Sequence, residues 1–158
     1  MVSTDRIADM RTDASDDYDR IVSRELHNPR DVDHWRHELD TRLGDEPRDV
    51  LDVGCGPGFF SIMLSRLGHR VTSLDASEGM LRAARRNLTW YGIEPHVRHG
   101  DVVTLDGVAD SSVDAVVSRD VVWTLHDPAA AYRRWFQVLR PGGLVLVYDG
   151  NYRTDRTG

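Results

Sequence analysis

The residues with the clearest chemical potential form a glycine-rich turn that follows an apolar segment and an acid. Residues 50–60 read VLDVGCGPGFF, with three glycines at alternate positions. Glycines let a backbone approach a ligand without Cβ clashes. If the segment is a strand and the turn opens a helix, a nucleotide there meets backbone N–H groups and the positive end of the helix. The turn predicts a nucleotide site; a tight strand-to-helix turn that binds nothing is the alternative.

A dinucleotide site is a second interpretation of the same turn. Gly54 and Gly56 begin the dinucleotide-binding fingerprint, which requires Gly or Ala three residues after its second glycine. Phe59 stands at that position, and the third glycine is Gly58 instead. A nicotinamide-dependent oxidoreductase is therefore disfavoured, and titration with NADH distinguishes it.

The spacing Gly-x-Gly-x-Gly, with an acid two residues earlier, resembles the first motif of class I S-adenosylmethionine (SAM) methyltransferases. Five motifs of this family follow in order between Arg48 and Asp149. The last, VLRPGGL at residues 138–144, is similar to the turn before the fifth strand in the menaquinone and ubiquinone biosynthesis methyltransferases. The resemblance implies SAM as the cofactor and S-adenosylhomocysteine (SAH) as the product.

The resemblance also implies roles for three acids. Asp52 would attract the ammonium group of SAM, directly or through water. Asp75, at the end of the second predicted strand, would accept both ribose hydroxyls, a role shared with NAD-binding folds. Asp101 would accept from the exocyclic amine of adenine, although Gly-Asp by itself is a common turn. We expect the three carboxylates along one rim of the sheet.

Other positions follow from the same resemblance. Met80 would contact the adenine, with packing on its helix stripe as an equal alternative, and Ser118 and Arg119 would approach the methionine end of SAM. The expected cofactor residues are Asp52, Gly54, Cys55, Gly56, Gly58, Asp75, Ala76, Met80, Gly100, Asp101, Val102, Ser118 and Arg119.

Methyl transfer from a sulfonium depends mainly on positioning the acceptor and excluding water, because SAM carries its own leaving group. A base is needed only when the acceptor is protonated. The candidate bases are His27, His34, His37, Asp120, His126 and Asp149. Trp123 would wall the substrate pocket; Tyr18 and Trp35 could line it, with burial of helix stripes as the alternative. His34, His37 and Glu38 match no metal signature, so we expect no metal.

These residues need a scaffold of alternating strands and helices. The predicted strands are 49–53, 70–75, 96–99, 113–118 and 143–148, with helices at 57–67, after Ser77 and at 127–140. Such alternation is typical of a mainly parallel α/β sheet, and the resemblance implies a Rossmann-like, doubly wound fold of strand order 3-2-1-4-5. We expect one domain: a helical cap over 1–44, with helices near 16–26 and after Asn28-Pro29, and a core over 48–149.

Composition narrows the class of protein. The chain has 158 residues and a formal net charge of -6, which disfavours nucleic acid or an anionic membrane as a partner. The lysine and arginine positions number twenty and all are arginine, so lysine Schiff-base chemistry is excluded. The single Cys55 cannot form an internal disulfide, and the chain shows neither a signal-peptide core nor an apolar stretch near the ~20 residues of a membrane span. We expect a cytoplasmic protein.

The acceptor is expected to be a small molecule, because the Asn/Asp-Pro-Pro-Tyr/Phe motif of base and glutamine methylation is missing after the fourth strand. The family sheet ordinarily continues past its fifth strand, whereas the sequence ends at Gly158. We therefore expect an open sheet edge, explained by a longer native chain, by a homodimer or by a partner that supplies strands. A noncatalytic SAM-binding subunit that needs a partner is the alternative function.

Overall fold

The computed structural model describes residues 23–150, in which strands and helices alternate. Tyr18 and most of the first predicted cap helix lie outside the described residues. The elements are α1 (Pro29–Leu43), β1 (Asp49–Val53), α2 (Phe59–Arg66), β2 (Arg70–Asp75), α3 (Glu78–Trp90), β3 (Val97–His99), β4 (Val113–Arg119), a 3-10 helix (Val122–Thr124), α4 (Pro128–Val138) and β5 (Leu139–Tyr148).

The five strands form one parallel sheet of order β3-β2-β1-β4-β5, which confirms the predicted fold class and strand order. Val53 lies beside Leu74, and Asp75 lies beside His99. Because all strands run in the same direction, the loops that follow them share one edge of the sheet. This carboxyl edge gathers the glycine turn and the loops after β2, β3 and β4.

Apolar side chains cover both faces of the sheet. On one face, Val50 and Val117 pack with Leu39 of α1 and with residues of α2. On the other face, Leu51 and neighbouring strand residues pack against α4, whose Trp135 is fully buried. Successive strand residues point to opposite faces, so a strand covered on both faces buries most of its side chains, and most of these are apolar.

Helix boundaries follow the local chemistry of each turn. Ser77 accepts a hydrogen bond from Met80 N and Asp127 accepts one from Ala130 N, so both residues are N-caps, and the two helices start where the sequence predicts them. α2 begins at Phe59 and not at Pro57, because Gly58 has a left-handed φ of 100°. α4 ends two residues earlier than predicted, because Leu139 already pairs with β4.

Charged side chains tie the amino edge of the sheet together. Asp49 accepts from Arg70 Nε at 2.6 Å and from Arg140 Nη1 at 2.8 Å. Arg140 Nη1 also donates to Asp114 Oδ1 at 3.1 Å, and Asp114 Oδ2 accepts from the Asp49 amide at 2.8 Å. These bonds join β1, β2, β4 and β5 at the edge opposite the glycine turn. Among the described residues, no helix has the length and apolar character that crossing a membrane requires.

Candidate functional site

The glycine turn after β1 has a backbone shape that other residues rarely adopt. Gly54, Gly56 and Gly58 have φ values of 70°, 54° and 100°. The amides of Gly54 and Cys55 donate to Leu74 O at 2.8 and 3.0 Å, which fastens the turn to β2. A Cβ on Gly54 would lie 2.3 Å from Val121 Cγ2. The segment after β4 thus packs directly on the turn and leaves no room for a side chain.

Asp75 holds this turn in place from the end of β2. Its side chain is fully buried, and Oδ2 accepts from Gly56 N while Oδ1 accepts from Ser77 N, both at 2.9 Å. One acid therefore fixes the glycine turn and the start of α3. Each carboxylate oxygen keeps further acceptor capacity, so a ribose contact stays a prediction. Sequence reasoning did not anticipate the bond to Gly56.

Asp52 is a buried acid inside β1, with 2 % of its surface exposed. Ser61 Oγ donates to Asp52 Oδ2 at 2.7 Å and lies 2.6 Å from Ser73 Oγ. Burial raises the pKa of Asp52 to about 6, against the opposing effects of the Ser61 hydrogen bond and the Arg119 charge. A carboxylate in this state gains from a nearby cation, so it suits an ammonium group.

Asp101 follows β3 and shapes the next loop. Its Oδ1 accepts from Val103 N at 2.7 Å and from Thr104 N at 3.2 Å, so it caps a turn. Gly100 N donates to Asp75 O at 3.1 Å and links this loop to β2. The three acids thus belong to three adjacent strands: Asp52 lies near the end of β1, Asp75 ends β2 and Asp101 follows β3.

The end of β4 presents two polar groups on opposite faces of the sheet. Ser118 is fully buried, and its Oγ has no hydrogen-bond partner within residues 23–150. Arg119 Nη1 lies 2.7 Å from Glu25 Oε2, a residue that sequence reasoning missed. A buried hydroxyl without a partner is uncommon and costs free energy, so the end of β4 fits a polar ligand.

The expected cofactor residues are distributed over the end of β1 and the turn after it, the end of β2, the start of α3, the loop after β3 and the end of β4. Met80 is fully buried, which matches its packing interpretation, and contact with adenine stays a prediction. The remaining turn and loop positions lie on the carboxyl edge: Gly54, Cys55, Gly56, Gly58, Ala76, Gly100 and Val102.

The two described tryptophans of the expected substrate pocket differ in environment. Trp35 packs edge-on against Phe60 and Tyr148, with ring centroids 5.0 and 5.2 Å apart, as its packing alternative describes. Trp123, in the 3-10 helix after β4, is 56 % exposed. An exposed aromatic ring beside the cofactor edge can wall an acceptor site.

The candidate bases separate into two groups. Asp120 and Asp149 meet at the carboxyl edge, where Asp120 Oδ1 accepts from Gly150 N at 3.0 Å. Asp149 is exposed, and partial desolvation raises the pKa of its carboxyl against an opposing backbone hydrogen bond from Trp123. The Asp120 charge raises this pKa further. His126 is exposed after the 3-10 helix. The other candidates, His27, His34 and His37, lie on or just before α1.

The parallel sheet, the glycine turn after β1 and the acid after β2 define a Rossmann-like nucleotide-binding domain. A family model described as a methyltransferase domain matches residues 51–147. The chain belongs to this methyltransferase family.

Similar proteins agree with this assignment. The chain is 30 % identical over 156 residues to a ubiquinone biosynthesis O-methyltransferase of Dinoroseobacter shibae, covering 92 % of this chain and 62 % of that protein. It is 35 % identical over 137 residues to a malonyl-[acyl-carrier protein] O-methyltransferase of Xylella fastidiosa, covering 80 % and 46 %. The crystal structure of the PH0226 protein of Pyrococcus horikoshii superposes with a TM-score of 0.66 at 27 % identity, covering 72 % and 54 %. The chain spans about half the length of the curated relatives it matches.

Proposed function

We propose that this domain binds SAM at the carboxyl edge of its sheet and transfers the methyl group to a small-molecule acceptor by in-line displacement. The observation that carries the proposal is the glycine turn, held by Asp75 in a conformation that brings bare backbone to that edge. The names of the two relatives, both O-methyltransferases, support methyl transfer and favour an oxygen acceptor.

The residues of the edge fit the chemistry of SAM. Asp52 would hold the ammonium group, Asp75 the ribose hydroxyls and Asp101 the adenine amine. The unpartnered hydroxyl of Ser118 would meet the methionine end of the cofactor. The bound sulfonium supplies both the methyl group and the leaving group. The protein then has to orient the acceptor and exclude water.

We propose Asp149 as the base when the acceptor carries a proton. Partial desolvation and the neighbouring Asp120 raise its pKa, so its carboxylate accepts a proton more readily than an ordinary carboxylate does. Trp123 would wall the acceptor site beside it. A noncatalytic SAM-binding subunit is the alternative, and it predicts cofactor binding without methyl transfer.

We further propose that the protein works in the cytoplasm and that a second copy or another partner covers the edge of β5. β5 is an outer strand of the described sheet, with β4 on its inner side. Exposed strand edges invite pairing with another chain.

Calorimetric titration with SAM and SAH tests the proposal. We expect binding in the micromolar range, weakened at least ~10-fold in Asp75→Ala because the variant loses both the ribose acceptor and the anchor of the turn. Asp106→Asn, an exposed position, is the matched control and should bind as the wild type does. If folded wild-type protein binds neither ligand, the proposal is wrong. A parallel titration with NADH distinguishes the oxidoreductase interpretation.

A further inference from the structure

The guanidinium at the end of β4 already holds a carboxylate. Arg119 Nη1 lies 2.7 Å from Glu25 Oε2, and Nη2 lies 3.4 Å from Oε1. The two side chains are mostly buried, with 21 % and 23 % of their surfaces exposed. Two side-by-side N–H···O contacts are the geometry with which arginine recognises a carboxylate.

Aromatic rings surround the guanidinium. The Arg119 Cζ atom lies 4.7 Å from the ring centre of Phe59, 5.0 Å from that of Phe60 and 5.7 Å from that of Trp35. Tyr148 stands beside Arg119 in the register of β4 and β5 and packs against Trp35 and Phe60. Aromatic faces attract the cation and exclude water, so a charge pair here is stronger than one on the surface.

The ion pair of Arg119 with Glu25 lies on the same face of the sheet as Asp52. Arg119 is two residues beyond Val117, which pairs with Asp52, so both side chains belong to the α2 face of the sheet. A buried acid and a buried guanidinium on one face match the ammonium and carboxylate groups of an amino acid. Glu25, from the segment before α1, supplies the carboxylate in this structure.

We propose that Arg119 is a carboxylate-binding residue of the site, and that Glu25 occupies it until a ligand carboxylate takes its place. The ligand carboxylate belongs either to the amino acid part of SAM or to the methyl acceptor. The inference rests on the proposed function. Displacement of Glu25 also removes an ion pair that ties the segment before α1 to β4.

Calorimetry with SAM and decarboxylated SAM tests the cofactor as the source. Arg119→Gln should weaken SAM binding at least ~10-fold, because a hydrogen-bonded charge pair is lost. Glu25→Gln should tighten it about 3- to 10-fold, because the internal competitor is gone. Neither substitution should change binding of decarboxylated SAM more than about 2-fold. Arg36→Gln, in an exposed ion pair of α1, is the matched control.

Benzoate and benzamide, added to protein saturated with SAH, test the acceptor as the source. A preference for benzoate that disappears in Arg119→Gln supports an acceptor carboxylate. The inference is wrong if Arg119→Gln and Glu25→Gln change neither the preference for SAM over decarboxylated SAM nor the preference for benzoate over benzamide. If Arg119→Gln fails to fold, the Glu25→Gln variant alone tests the inference through its affinity for the ligand that carries a carboxylate. If folded wild-type protein binds neither SAM nor SAH, the proposed function itself is refuted.

Discussion

At the scale of single residues, Asp52 combines two properties that oppose each other in a folded domain. It is almost completely buried, yet it is an acid whose carboxyl has a pKa of about 6. An ionised carboxylate in the sheet interior destabilises the fold, because it has lost its hydration. An apolar residue would serve the fold better, so the acid itself is evidence for a ligand cation.

Asp52→Asn should stabilise the free protein at neutral pH. The folded-state pKa lies above the unfolded one, so the stability contribution of Asp52 is complete below about pH 4 and is lost as the pH rises through about 6. We expect a gain of about 1–3 kcal/mol at pH 7 and little change at pH 4. Urea unfolding at both pH values measures this difference.

The same variant should bind SAM more weakly, since the amide cannot offer a negative charge. A variant that is less stable at pH 7 than the wild type would contradict the argument. Ser61→Ala is the companion control, because it removes the hydroxyl that donates to Asp52 and leaves the acid in place.

At the scale of elements, the charged network at the amino edge joins four strands far from the cofactor side. The Arg70 hydrogen bond and then the Arg140 hydrogen bond lower the pKa of Asp49. The hydrogen bond from the Asp49 amide lowers the pKa of Asp114 most, and the hydrogen bond from Arg140 lowers it less. Both acids stabilise the fold in their ionised form, in contrast to Asp52.

Asp114→Asn should lower the free energy of unfolding by about 1 kcal/mol at pH 7, because the network loses its charge on β4. A lowered folded-state pKa means that this stability is present above pH 4 and is lost as the pH falls through the folded pKa. The difference between variant and wild type should therefore shrink as the pH falls below the unfolded-state pKa of an aspartate, about 4. Chemical unfolding across this range measures it, and SAM titration should give the same affinity for both proteins.

Much of the fold could be predicted from local sequence, since it depends on short-range signals. Apolar runs marked the strands, and Ser77 and Asp127 marked helix starts that the structure confirms. Predicted boundaries were less accurate where pairing between strands determines the end of an element. Leu139, for example, pairs with β4 and so belongs to β5 and not to α4.

The candidate site was predictable only in part, because some of its contacts join residues that lie far apart in the sequence. The acids and glycines lie at strand ends, where parallel topology gathers them. The bond from Gly56 to Asp75 and the pairing of Glu25 with Arg119 join residues 19 and 94 positions apart. No local pattern announces such contacts, because they depend on how the folded elements meet.

At the scale of the whole molecule, the sheet has two outer strands, β3 and β5, in the described chain. β3 has only three residues, whereas β5 has ten and runs beside β4 for most of its length. A long outer strand is the better template for pairing with another chain. The edge of β5 is therefore the side on which we expect association.

Sedimentation equilibrium across a roughly hundredfold concentration range should reveal reversible self-association of this chain. Val147→Pro tests whether β5 is responsible, since the substitution removes a backbone donor and should reduce association. The matched substitution Val147→Thr keeps the donor and should not. A chain that stays monomeric at every concentration would exclude a second copy as the partner, leaving a different protein or further strands of a longer native chain to cover β5.

Gly54 and Val121 pack closely, so the glycine turn after β1 and the segment after β4 cannot change shape independently. Val121 directly precedes the 3-10 helix that carries Trp123, so any bulk added at position 54 would push on the segment that we propose as the wall of the acceptor pocket. Libraries that aim to change acceptor preference should accordingly vary Trp123 and leave position 54 untouched. Variation at the first glycine would disturb both ligands at once, and a change in selectivity could not be separated from a damaged cofactor cradle.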